Sequence, residues 1–143
     1  MGSPPVNRAS VWYQLLVHEP AATQEDMLQA LARVGVQLYP LGGAEPKGSG
    51  LILFDHISDA LCEFARQASH HGRNRVLAIG TEQAALSGGG VWRLLRSGVS
   101  DVFAWDHSAD PAREVAARLE RWMEVDRLVD SPLVRNNLVG RSP

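Results

Sequence analysis

The chain has 143 residues, 45% of them hydrophobic and 21% charged, with a formal net charge of −2. That size and balance suit one α/β domain with a short tail and a core of its own. The charge leaves no broad cationic surface for direct nucleic-acid binding, and no apolar run approaches the ~20 residues that span a bilayer. Residues 1–10 lack the charged-then-apolar order of a signal peptide and read as a disordered lead-in. A β-branched and aromatic run at 11–17 predicts the first strand, stopped by Pro20. Thr23, three residues before Asp26, opens a helix in the manner of a capping box. Met27, Leu28, Leu31 and Val34 follow at helical spacing, and Gly35 ends the helix. Residues 36–41 form the second strand, placed at a sheet edge by Pro40, which has no N–H to give to a ladder.

The glycine- and proline-rich link 42–50 does not favour a helix, although a parallel crossover ordinarily takes a dozen residues or more. The helix between strands two and three is therefore expected to be abbreviated or absent. Residues 51–55 are apolar until Asp55, as in a central strand covered on both faces. Ser58 is placed to N-cap a helix whose apolar stripe is Leu61, Phe64, Ala65 and Ala68; residues 70–74 close it. Cys62, the lone cysteine, excludes an intrachain disulfide, fits a reducing cytoplasm and reads as a small buried apolar residue. Residues 76–79 give the fourth strand. The triple glycine 88–90 leaves only a short helix near 91–96, and 99–105 give the fifth strand. Asp110 and Pro111 open a last helix with apolar spacing at Val115, Leu119, Trp122 and then Val125 or Val129. Its arginines alternate with acids, as on a solvated face.

The expected fold is thus α/β, a doubly wound, five-stranded parallel sheet. Such sheets gather ligands and chemistry at the carboxyl ends of their strands. The residues there are His18 and Glu19, Asp55, Gly80 and Thr81, and Trp105.

Two stretches carry a family resemblance. Asp55 after an apolar strand, with Leu94-Leu95-Arg96-Ser97-Gly98-Val99-Ser100-Asp101-Val102-Phe103 before the final helix, resembles the receiver domains of bacterial response regulators. The tail Ser131-Pro132-Leu133-Val134-Arg135-Asn136-Asn137-Leu138-Val139-Gly140-Arg141-Ser142-Pro143 resembles the junction at which sigma-54-dependent transcriptional activators pass from a regulatory domain into an AAA+ ATPase. The resemblance implies the receiver strand order and a division into a regulatory domain at 11–125 and a linker at 126–143 that runs into the AAA+ domain. It also implies that this segment is no enzyme. ATP, sigma-54 RNA polymerase and DNA would be engaged only through domains outside it.

Receiver domains hold a magnesium ion with two acids after strand one. They phosphorylate an Asp at the end of strand three, and place a Thr or Ser after strand four and a Lys after strand five. The acids bind the metal, the metal and lysine neutralise the phosphoryl oxygens, and the hydroxyl senses the phosphate. By resemblance Asp55 takes the phosphoacceptor position. His18 and Glu19 replace the acid pair, Gly80 stands at the hydroxyl position with Thr81 beside it, and Trp105 stands at the lysine position, followed by Asp106. Only the acceptor is intact, so a degenerate receiver working without ordinary phosphorylation is expected. No cofactor is expected in this segment; Mg²⁺, if bound, would use Glu19 and Asp55.

Three alternatives remain open at this level. Asp55 is either a strand-end acid that caps the next turn or a working phosphoacceptor. Trp105 either packs over the old pocket or joins a dimer surface. The strand ends around His18, Asp55, His56 and Trp105 also have the residue types of a small-ligand or metal-sensing module, although neighbours along a strand point to opposite faces. The last helix, with Leu119, Trp122, Val125 and Val129, is read as a dimer and linker helix: Val115 and Leu119 pack on the chain's own sheet, and from Trp122 onward it is expected to pair with a second copy as a short coiled-coil-like element. The expected assembly is a cytoplasmic homodimer without membrane contact.

Overall fold

A computed structural model describes residues 10–17, 22–70, 72–81 and 88–129. Their elements run β1 (Ser10–Leu16), α1 (Ala22–Arg33), β2 (Gln37–Pro40), β3 (Gly50–Phe54), α2 (Asp59–Ser69), β4 (Val76–Gly80), α3 (Gly90–Arg96), β5 (Asp101–Ala104) and α4 (Pro111–Val129). The strands pair in the order β2-β1-β3-β4-β5, every pair parallel. This is the flavodoxin-like doubly wound arrangement that the alternation of strands and helices predicts.

Side-chain alternation along each strand splits the core into two layers. On one face Val11, Leu51, Leu53, Leu77, Ile79 and Phe103 meet Met27 and Leu31 of α1 and Val115 and Leu119 of α4. On the other, Trp12, Ile52, Phe54, Val76 and Ala78 meet Leu61, Cys62, Ala65 and Ala68 of α2 and Leu94 of α3. β3 and β4 are buried along their whole length, which is why they read as unbroken apolar runs. β2 is the edge strand, with Pro40 in its last paired position.

The helix ends follow local chemistry. α1 closes in a Schellman motif: Gly35 sits at φ 98°, the Val36 N–H donates to the Leu31 carbonyl at 3.1 Å, and the Gly35 N–H donates to Ala32 at 3.1 Å. Ser58 caps α2, its hydroxyl oxygen accepting the Leu61 N–H at 3.1 Å. His70, not a glycine, takes the left-handed position that ends α2, at φ 47°.

No helix joins β2 to β3; residues 41–49 form turns and bends. An indole fills the layer that such a helix would supply. Trp12 is fully buried, lies edge-on to Phe64 at 6.1 Å, and donates its Nε1–H to the Gly48 carbonyl at 3.2 Å. It can do so because its register partner on β3 is Gly50, where a Cβ would fall 1.9 Å from the indole. Leu41 closes the same layer, 8% exposed, and its N–H donates to Tyr13 at 3.1 Å.

Several boundaries shift from the sequence expectation. α1 begins at Ala22, so Thr23 lies inside its first turn instead of capping it. β5 is confined to Asp101–Ala104: Ser100 just before it donates its backbone N–H to Val76 of β4 at 2.8 Å, and Trp105 after it opens a 3-10 turn, Trp105–His107. α4 runs without a break across residue 125 to Val129. At 19 residues it is about 28 Å long, against about 15 Å for strands of four or five residues, so its last turns overrun the sheet.

Candidate functional site

The chain leaves β1 towards β2 on one side and resumes with β3 on the other, so the switch point lies between β1 and β3. Open α/β sheets form their crevice at such a point, outside the carboxyl ends of the strands. The registers Leu16↔Phe54, Phe54↔Gly80 and Gly80↔Ala104 align the last paired residues of four strands. Val17, Asp55, Thr81 and Trp105 are the next residues and form one row along this rim. His18 and Glu19, the expected acid-pair positions, lie outside the described residues.

Asp55 keeps a side-chain exposure of 30% and accepts a hydrogen bond from His56, Nδ1 to Oδ1, at 2.8 Å. The strand-end acid is therefore held by an imidazole from its own chain neighbour. Among the described residues no group of three or more His, Cys, Asp or Glu side chains is placed to hold a metal ion. Asp55 and His56 alone do not supply the oxygen set that magnesium takes.

Gly80, the expected hydroxyl position, is occupied from across the strand. A Cβ there would lie 2.7 Å from Phe54 Cζ and 2.9 Å from a second ring carbon. The Phe54 ring fills the volume into which a Thr or Ser side chain would project. Thr81, half-buried, is the hydroxyl that the rim offers instead.

Trp105 turns onto the core face shared by α1 and α4, where it lies edge-on to Phe103 at 6.4 Å. It contributes apolar area where a strand-end lysine would contribute charge. The chain's single lysine, Lys47, lies just before β3 begins, at the opposite end of the sheet. The row thus retains an accessible acid at the switch point and lacks a fixed cation from the end of β5.

The residues of the dimer and linker helix separate into two groups, as the spacing leads one to expect for Leu119. Leu119 is 1% exposed and belongs to the chain's own core, because α4 still lies over the sheet at that level. Trp122 packs partly on the same core, with the Arg75 guanidinium 5.9 Å from its ring centroid. Val125 and Val129 are exposed, and Leu128 joins them at 57%. Leu128 falls off the spacing followed from Val115, and so the apolar stripe does not disclose it. Arg75, which also pairs with Asp126 at 3.0 Å, carries no motif that would single it out.

No protein-family model, no curated protein and no solved structure matches the chain. Among the described residues no helix is long and apolar enough to cross a membrane.

Proposed function

We propose that this chain is a receiver-like regulatory domain of a sigma-54-dependent transcriptional activator, working without the ordinary phosphorylation cycle. One observation carries the reading: the strand-end row keeps Asp55 at the switch point, with the Thr81 hydroxyl beside it, but ends in the Trp105 indole where a lysine would stand. With Trp105 packed against the core, an acyl phosphate on Asp55 would gain no neutralising lysine from β5. The signal is instead a change in protein–protein arrangement. The domain forms a cytoplasmic homodimer through the overrunning end of α4, where Val125, Leu128 and Val129 are exposed. That helix passes the change to a downstream AAA+ ATPase acting on sigma-54 RNA polymerase at DNA, a two-state coupling in which the dimer arrangement sets ring assembly. The chain itself performs no catalysis. The competing reading, a phosphoacceptor using Asp55 and Mg²⁺, draws on the 30% exposure of the Asp55 side chain.

The test uses the longer protein that carries the ATPase. Removing residues 1–125 should change both its ATPase rate and its oligomeric state. Identical rates and identical assembly with and without the domain would refute a regulatory role.

A further inference from the structure

The opposite end of the sheet carries a cavity of about 390 Å³, bounded by the starts of β3, β4 and β5 and by the end of α4. Its polar lining is Ser49, Arg73, Asn74, Arg75, Ser100 and Asp126. Gly48 and Gly72 also line it, in left-handed conformations at φ 75° and 86°, leaving bare backbone with open space where a Cβ would stand. The volume lies in the range of small-molecule sites.

The balance of donors decides what it takes. Two guanidinium groups face one carboxylate, and that carboxylate is engaged: Arg75 Nε donates to Asp126 Oδ1 at 3.0 Å. Arg73 is exposed and forms no ion pair among the described residues. The Ser100 oxygen already accepts the Val76 N–H at 3.3 Å, which leaves its O–H to donate. Planar guanidinium forks supported by hydroxyl donors match phosphate oxygens.

We infer that this cavity binds a phosphate-bearing small molecule, recognised by Arg73, Arg75 and Ser100, and that binding loosens the end of α4. The coupling runs through Arg75. Its carbonyl accepts the Gly50 N–H at 3.1 Å, fixing it to the base of the sheet, while its side chain holds Asp126 and covers Trp122. A phosphate on that guanidinium competes with Asp126 and weakens the tie of the last two turns of α4 to the sheet. Those turns carry Val125, Leu128 and Val129, and Val129 itself lines the cavity. Linkage requires the converse: weakening the Asp126 tie strengthens anion binding. None of these residues belongs to the row at Asp55, so the inference stands or falls independently of the strand-end reading.

The experiment is calorimetric titration of the 143-residue chain with inorganic pyrophosphate at fixed ionic strength, with citrate as a non-phosphate anion. One saturable site is expected. Losing a charge-assisted contact in Arg73→Ala or Arg75→Ala should weaken binding about tenfold or more, and Asp126→Asn should tighten it. Hydrogen exchange at residues 122–129 should speed up when pyrophosphate binds. Arg73→Ala, on an exposed side chain, keeps the test decisive should Arg75→Ala fail to fold. No saturable heat, equal binding by Arg73→Ala, citrate binding as tightly as pyrophosphate, or weaker binding by Asp126→Asn would each overturn the inference.

Discussion

Two glycines opposite two aromatic rings set the character of this sheet. Gly50 faces Trp12 and Gly80 faces Phe54, each pair in register and on the same face. In both cases the ring lies where the glycine lacks a side chain, so neither glycine tolerates even a methyl group without displacing a packed aromatic. Gly80→Ala should destabilise the fold by about 1–3 kcal/mol, the usual cost of overpacking a tight core. Combining it with Phe54→Leu should recover part of that loss, because the smaller side chain vacates the contested volume. Urea unfolding of the two single variants and the double variant would show this as a non-additive cycle. Strictly additive losses would mean that Phe54 does not hold the Gly80 position. Sequence reading places Gly80 at the hydroxyl position, but cannot show that the position is filled. That requires knowing which residue of β3 lies opposite, and register is not written in a single strand.

At the scale of elements, the economy of the β2–β3 link depends on Trp12. A parallel crossover normally lays a helix over the sheet; here turns suffice because the indole fills the uncovered layer and anchors Gly48. Trp12→Ala should cost about 3–5 kcal/mol, within the range for large aromatic-to-alanine changes in cores, and should raise hydrogen exchange through residues 41–49. A loss below about 1 kcal/mol would show that the link holds itself. Many elements were legible because their signals are local. Pro40 marks the edge strand, Ser58 caps α2, Gly35 closes α1, and the poverty of helix formers at 42–50 announces the missing helix. The last helix was only half legible. Helical spacing finds the stripe Val115, Leu119, Trp122, but periodicity carries no statement of what the stripe packs against. Leu119 belongs to the chain's own core, whereas Val125 and Val129 stand in solvent, because a long helix overruns short strands.

For the whole molecule, the two ends of the sheet divide the work. The carboxyl end has the topology of a site for chemistry, with Asp55 at the switch point and Thr81 beside it in the row, and packs an indole where phosphate control needs a cation. The amino end gathers arginines around the last turns of the helix proposed to transmit the output. Alternating apolar runs and turn residues make the α/β architecture readable from sequence, whereas the strand order entered only with the receiver resemblance. The base cavity is not, since it assembles residues from the β2–β3 link, the α2–β4 turn, the start of β5 and the end of α4. The claim that joins these observations is that regulation here does not pass through phosphorylation of Asp55. Intact mass after incubation of the chain with acetyl phosphate and Mg²⁺, beside Asp55→Asn, tests it most directly. Neither protein should gain mass. A one-phosphoryl gain in the parent that is absent from Asp55→Asn would contradict it and restore Asp55 as a working phosphoacceptor.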